Sequence, residues 1–442
     1  MSCHLFGLRS TLLALMSVLS QSLLTLVRRH LVPLMLLSVW HNFRCLLLLL
    51  LCVLYNFGLQ RYNYFPKGKR FYAILLKKSW RLVCFMPKKQ YFCIMISSFG
   101  TQLEQWYESF GRDLPWRRTS DPYLIMLSEF ILQQTQIVQG MSYYLRFAER
   151  FPTAESLAEA SEEEVLRLWQ GLGYYSRARH LHAAAKQIAE AGKFPRDYAF
   201  VRALPGIGDY TAAAIMSFAF GEAYAVLDGN VSRVLARHFG ITEPIDSGQG
   251  KKLLRALADE MLDRQHPALY NQAIMDFGAL QCKPTSPLCE VCPLAETCQA
   301  LSTHQVDKLP IKAKRTTVRE RYFTYIYTRT EDGMTLLHRR GSGDIWQGLF
   351  EFPMIESANK LTSKQVDEFI HSSLVKVNVK IKTELVASDV LHQLTHQRLH
   401  ADFYCLTLPN AIENKKGQWV EEKSLDRYAL PRLLEKLMEK IK

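Results

Sequence analysis

The chain has 442 residues, of which 48% are hydrophobic and 22% charged, with a formal net charge of +13. Residues 1–103 hold thirteen Lys or Arg and no Asp or Glu, so the remaining 339 residues carry 42 charges of each sign and sum to zero. This excludes a whole-molecule charge footprint as the basis of any nucleic-acid binding, which must come from local patches instead.

The first 94 residues are read apart from the rest. Apolar runs at Leu12 to Val27 and Cys45 to Tyr55 are interrupted by Arg28, Arg29, His30 and Arg44, whereas a membrane span needs ~20 apolar residues. A secretory signal and a transit peptide fit no better, the latter being amphipathic rather than Leu-rich. Roughly one residue in eight is normally acidic, and none occurs here. The stretch is therefore expected to be translated upstream sequence outside the functional protein, with Met95 as an internal start. A membrane anchor is the second reading.

From 101 to 280 the pattern is helical, punctuated by Pro152, Gly171, Gly192, Pro195 and Pro205. Ser161-Glu162-Glu163-Glu164 reads as an N-cap and an acidic first turn. Two helical lobes with a site in their cleft are expected. Leu127-Ser128-Glu129-Phe130-Ile131-Leu132-Gln133-Gln134-Thr135-Gln136 places one acid among large apolar residues. Such an acid is costly unless paired or used, and apolar surroundings raise a carboxyl pKa until it serves as a general acid near neutrality.

Leu204-Pro205-Gly206-Ile207-Gly208 ends one helix at Pro205 and opens another near Asp209. Gly206 and Gly208 allow positive φ and close backbone approach, and the helix start offers free N–H groups to an anion. Nothing in such a hairpin reads bases, so its natural target is a phosphodiester oxygen; taken alone, Pro-Gly-x-Gly reads equally as a plain helix-helix turn. Asp228 follows one short helix later, in Leu227-Asp228-Gly229-Asn230.

Together these residues resemble the helix-hairpin-helix superfamily of DNA glycosylases. Bifunctional members carry a Lys two residues after the second hairpin glycine. Here that residue is Tyr210, which forms no imine, so the resemblance implies a monofunctional hydrolase with water guided by Asp228. The segment around Glu129 is similar to that of adenine glycosylases of the MutY type. That likeness implies Glu129 protonating adenine, Asp228 stabilising the sugar cation, and Tyr210 and Asn230 supporting the sugar. It places Gln133 in the DNA stack and Tyr174, in Leu172-Gly173-Tyr174-Tyr175, as the aromatic wedge. Trp116, Arg117, Leu132 and Gln272 would line an adenine pocket, and Thr135 and Leu172 would join in recognising the damaged guanine. Arg177-Ala178-Arg179, just beyond the wedge, is a candidate phosphate patch.

Cys282, Cys289, Cys292 and Cys298 fall within 17 residues and read as either a zinc site or an iron-sulfur cluster. Only one pair has the Cys-x2-Cys spacing that zinc ribbons repeat. The resemblance implies a 4Fe-4S cluster whose loop presents Lys283 to phosphate. Cys405 is expected to be an ordinary core residue.

Residues 301–320 read as a linker whose Lys308, Lys312, Lys314, Arg315 and Arg319, with Arg321 just beyond, form a second candidate patch. Strands are then expected at 322–327, 335–338, 349–352 and 401–406, with helices near 363–371 and 431–441. The order, with Gly343-Asp344-Ile345-Trp346-Gln347-Gly348, resembles a Nudix-type domain. The stretch after Pro353 lacks the Arg-Glu-x-x-Glu-Glu of a Nudix hydrolase, so a reader is expected rather than a second enzyme, and the resemblance to MutY-type proteins implies that it detects 8-oxoguanine opposite the adenine. Its reading loop would be Leu394-Thr395-His396, with Thr395 and His396 hydrogen-bonding the lesion. Metal binding by His392, His396 and His400 would need a helix where strands are expected.

The fold class expected is therefore multidomain: an all-α helix-hairpin-helix glycosylase domain with a 4Fe-4S loop over 95–300, the linker, and an α/β Nudix-like domain over 321–442. The expected function is excision of adenine opposite 8-oxoguanine or G in double-stranded DNA by a cytoplasmic monomer not bound to membrane. A glycosylase-lyase for oxidised pyrimidines and a catalytically silent lesion-binding protein are the rivals.

Overall fold

The computed structural model describes residues 88–313, 318–374, 382–412, 414 and 417–441, with side chains from Ser98 onward. Residues 1–87 of the apolar extension, together with Lys314 and Arg315, lie outside them. Among the described residues no helix is long and apolar enough to cross a membrane. Helix α1, Lys88–Phe110, runs through Met95.

Helix α2, Pro122–Leu132, owes its start to Asp121, which accepts from Tyr123 N, and to Pro122 in the first turn. It is buried on almost every face, which is why its sequence lacks the polar stripe of a surface helix. Around it lie α3 (Ile137–Arg150), α4 (Ala154–Glu159), α5 (Glu162–Leu168), α6 (Ser176–Glu190) and α7 (Tyr198–Ala203). Ser161 caps α5 by accepting from Glu164 N, as its sequence indicates. Phe130, Phe147, Trp169, Leu181 and Ile215 fill the core of this lobe.

The second lobe joins α1 to α9 (Gly229–Phe239), α10 (Gly248–Met261) and α11 (Pro267–Asp276). Phe99 packs on His238, and Trp106 meets Phe277 edge-on. Helix α8, Asp209–Phe220, touches both α2 and α11 and so forms the seam between the lobes. The single turn α12, Gln299–Ser302, packs on α9.

The sequence from 301 departs from a free connector at its start. Arg237 donates to the Leu309 carbonyl at 2.9 Å, and Ile245 N to that of Ile311 at 2.9 Å, so this part is laid against the second lobe.

Beyond it, strands β1 (Arg319–Thr330), β2 (Met334–Arg339), β3 (Phe350–Glu351), β4 (Met354–Ser357), β5 (Lys382–Gln393), β6 (Gln397–Leu408) and β7 (Gln418–Glu421) form one sheet. Its order is β3-β2-β1-β6-β5, with β4 on β1 and β7 on β2, and among the described residues only β1 with β6 is parallel. Alternate residues of β1 and β6 face opposite sides. Tyr325 and Phe403 pack with Leu433, Leu434 and Leu437 of α14 (Arg432–Met438); Ile326 and Leu406 pack with Val366 of α13 (Ser363–Phe369). A sheet between two helices is the α/β layer expected. Strands β4, β5 and β7 fall outside the expected ones: β4 and β7 are only 4 residues each, and β5 has exposed Leu385 and Leu391 and little apolar alternation.

Ser98–Lys442 forms one compact unit. Leu349 and Ala429 of the sheet half lie in the same apolar cluster as Phe130 and Trp169, and Trp346 packs against both cores.

Candidate active site

Glu129 is 8% exposed in the middle of apolar α2. Burial pushes its carboxyl up to about 7, with nearby Asp228 adding to the rise, while a hydrogen bond from Tyr210 and the charge of Arg117 oppose it. Burial raises the Tyr210 phenol as well, and the negative charge of Glu129 and Asp228 adds to that, so the phenol donates as a neutral group.

Asp228 is the N-cap of α9. Its Oδ1 accepts from Val231 N at 2.7 Å, and its Oδ2 from Asn230 Nδ2 at 2.8 Å. Burial raises this carboxyl too, but those two donors and the Arg233 charge oppose the rise. The ionised form of Asp228 is therefore better supported than that of Glu129. The approach to Asp228 is held by Asn271, whose amide takes Val226 N at 3.1 Å and gives to Tyr224 O at 2.9 Å and Ser217 Oγ at 3.0 Å.

The expected pocket residues are tied to partners that sequence reading missed. Arg117 Nη1 and Nη2 grip Asp276 Oδ2 and Oδ1 at 2.7 and 2.6 Å, and Gln272 Oε1 accepts from Tyr107 at 2.8 Å. Both acceptors sit on α11, four residues apart. Trp116 is largely core, edge-on to Tyr144. Leu132 ends α2 and packs on the first-lobe core.

In the hairpin only Gly206 has positive φ, +76°; a Cβ there would meet His180 Cβ at 2.6 Å and Phe130 at 2.9 Å. Gly208 corrects the expectation: its φ is −95°, within reach of any residue, and a Cβ would meet nothing within 4 Å. Its missing side chain leaves open space in front of the α8 N-terminus. Arg202 braces the turn by donating to Ile207 O at 2.8 Å and Asp209 Oδ1 at 2.5 Å.

Arg177 is no phosphate contact. It is 6% exposed and caps α2 through the carbonyls of Phe130, Ile131 and Gln133 at 3.0, 2.8 and 2.5 Å. Its Nη2 also donates to Thr135 Oγ1 at 3.2 Å, so Thr135 braces this loop. Arg179 hydrogen-bonds the Gln347 carbonyl of the sheet half. Arg321 is likewise spent, in pairs with Asp344 at 2.7 Å and Glu356 at 2.6 Å. Lys308, Lys312 and Arg319 are exposed, and Lys283 is partly so.

Gln133 ends α2 with its amide 3.4 Å from Thr211 Oγ1. Tyr174 is 45% exposed with φ +49°, and its hydroxyl contacts Thr395 Oγ1, although 221 residues separate them. The residue expected as the wedge and the loop expected to read the lesion are thus brought together. The Leu172 side chain is 5% exposed within the core, which leaves it no free surface for a lesion. Thr395 and His396 are exposed at the β5–β6 turn, closed by Leu394 N to Gln397 O at 2.8 Å. The three histidines do not share a helix: His400 is held by Asp389 at 2.7 Å and Glu320 at 3.0 Å, and His392 faces Trp346.

The thiols of Cys282, Cys289, Cys292 and Cys298 are partly buried and near one another. Burial first, then mutual charge, raises Cys289, Cys298 and, to about 12, Cys292. Among the described residues no three His, Cys, Asp or Glu converge as ligands of a single ion. Buried Arg237 directs Nη1 at Cys282 Sγ, 3.5 Å away, while holding the Lys283 and Pro284 carbonyls. Arg233 extends the contact inward, from the Cys282 carbonyl at 2.8 Å to Asn230 Oδ1 at 2.8 Å, and Asn230 in turn holds Asp228. Cys405 sits half-buried in β6.

Residues 127–260 match the HhH-GPD superfamily of base excision DNA repair proteins, and residues 324–440 match the NUDIX domain family. The adenine DNA glycosylase of Buchnera aphidicola subsp. Baizongia pistaciae is 34% identical over 352 residues, spanning 78% of this chain and 97% of that one. The Homo sapiens adenine DNA glycosylase is 41% identical over 225 residues, 48% of this chain and 41% of the human one. That of Mus musculus is 32% identical over 375 residues, 72% of each. The chain therefore belongs to the adenine DNA glycosylases, base excision repair enzymes that join a helix-hairpin-helix half to a Nudix-type half.

Proposed function

We propose that this glycosylase hydrolyses the N-glycosidic bond of adenine opposite 8-oxoguanine, or opposite G, and leaves an abasic site without cutting the strand. The observation that carries the reading is the unequal pair of carboxyls at the lobe seam: Glu129 raised to about 7 by burial, Asp228 supplied with donors for its charge. Adenine departs poorly until a ring nitrogen is protonated, and departure leaves positive charge on the deoxyribose. Neutral Glu129 gives the proton; ionised Asp228 faces the oxocarbenium-like sugar and guides water to it. The base must first leave the stack. Gly208 and the α8 N-terminus would hold the backbone, while Gln133 and Tyr174 would fill the gap. Tyr210 offers no amine, which favours hydrolysis over strand cleavage.

The catalytic unit is taken as 95–300 and the reader as 321–442. The Tyr174–Thr395 contact supports lesion reading by both halves together. The four cysteines fit a 4Fe-4S cluster: the donors are thiols near one another, and Arg237 supplies charge at the sulfur. Such a cluster would cross-link the loop from 282 to 298 and, through Arg233 and Asn230, steady Asp228.

The test is single-turnover excision by the purified chain on duplexes bearing A opposite 8-oxoguanine, A opposite G, or thymine glycol, with and without alkali. Loss of adenine with strand breaks only after alkali is expected. Glu129→Gln and Asp228→Asn should each slow excision at least ~100-fold with duplex binding kept. Cleavage of thymine glycol without alkali would overturn the reading in favour of a lyase.

A further inference from the structure

Arg117 is hydrogen-bonded to one carboxyl group and acts electrostatically on a second. Toward α11 its Nη1 and Nη2 give to Asp276 at 2.7 and 2.6 Å, and Nη1 also meets the Arg112 carbonyl at 3.0 Å and Tyr107 Oη at 3.3 Å. Toward α2 it acts on Glu129 through its charge. Asp276 is 0% exposed and takes further hydrogen bonds from Arg112 N at 2.9 Å and Nε at 3.0 Å. We propose that Asp276 is a positioning residue for the acid: it holds both arms of Arg117 and thereby withholds that cation from the Glu129 carboxyl.

The chemistry follows from what a free guanidinium does. An Arg released beside a buried carboxyl turns to it, forms a two-point charged hydrogen bond and favours the ionised form. An ionised Glu129 has no proton to give to adenine. Burial alone would raise the Asp276 carboxyl, but its bonds to Arg117 and Arg112 hold it below the usual range, so it stays the preferred partner. The other groups facing α2 do not replace it. Tyr210 from α8 hydrogen-bonds Glu129, and Asp228 from the start of α9 adds negative charge. Arg177 from α6 is spent on the carbonyls that end α2, and Tyr144 from α3 packs on Trp116.

The inference rests on Glu129 acting as the acid, and the experiment separates the two. Single-turnover adenine excision is measured from about pH 5 to 9 on the full chain and on Asp276→Asn, on that change with Arg117→Met, and on that change with Arg112→Met. The last strands one guanidinium instead of two and serves if the single variant does not fold; folding is read from binding to a duplex carrying the abasic product. In folded Asp276→Asn protein the alkaline fall in rate should move down by about half a pH unit or more. With Arg117→Met added it should return toward the parent position, even though the overall rate is lower. An unmoved fall, or a downward shift that persists without Arg117, overturns the proposal. A Glu129→Gln variant that keeps the parent rate and profile would instead remove the assignment of the acid.

Discussion

At the scale of single residues, burying Glu129 has a cost that pH reveals. Its folded pKa, about 7, lies above the ordinary carboxyl value of 4.5, so between those limits the folded state binds more protons than the unfolded state. Stability is then full below about pH 4.5 and falls as pH rises through 7. At about 1.4 kcal/mol per unit this amounts to on the order of 3 kcal/mol. Glu129→Gln is accordingly expected to raise the melting temperature at pH 8 and leave it nearly unchanged at pH 4. Equal melting temperatures at pH 8 would mean that the carboxyl is not desolvated. Glu129, Asp228 and Tyr210 were legible in the sequence because each sits in a short run whose meaning is local. Asp276 and Tyr107 were not: their bonds to Arg117 and Gln272 span 159 and 165 residues, and nothing near Asp276 in the chain points to them. Arg177 misled for a related reason, since an arginine beside a wedge and an arginine capping a buried helix look alike until the helix is in place.

At the scale of elements, the hairpin separates two uses of glycine that the sequence presents as one. Gly206→Ala forces a Cβ against His180 and Phe130 at positive φ and should cost about 1–3 kcal/mol of stability. Gly208→Ala meets open space at an ordinary φ. It should leave the melting temperature alone while weakening duplex binding by roughly tenfold, one phosphate hydrogen bond in energy. The reverse pattern in thermal melts would show that Gly208 serves packing. The cysteine loop makes a second prediction. Protein made with ample iron should carry about four irons per chain with a broad visible absorbance, and Cys282→Ser should slow excision as well as lower iron content, because Arg233 joins the Cys282 carbonyl to Asn230 and Asp228. Stoichiometric zinc would establish a zinc loop instead. The helices and most strands were legible from apolar period and punctuation. Strand β5 escaped because it borrows its order from β6, with irregular register between Leu385 and Val390.

At the scale of the whole molecule, the two halves meet through a shared apolar cluster and through specific polar contacts. Tyr174 touches Thr395, Arg179 holds Gln347, and Arg339 pairs with Glu162 at 3.0 Å. If the reading loop recognises 8-oxoguanine, Thr395→Ala with His396→Ala should lose roughly tenfold or more in preference for A opposite 8-oxoguanine over A opposite G, with the catalytic step preserved. Unchanged preference would place lesion reading wholly in the helical half. Point substitutions suit this question better than removal of 321–442, and the reason is Leu349. That residue comes from the sheet half but is buried in the apolar cluster of the first helical lobe. A chain that seats a side chain of its sheet half in its helical core cannot melt as two beads on a string: losing one half opens a hole in the other. Calorimetry of residues 98–442 should therefore record one endotherm rather than two, and Leu349→Ala should begin to split it.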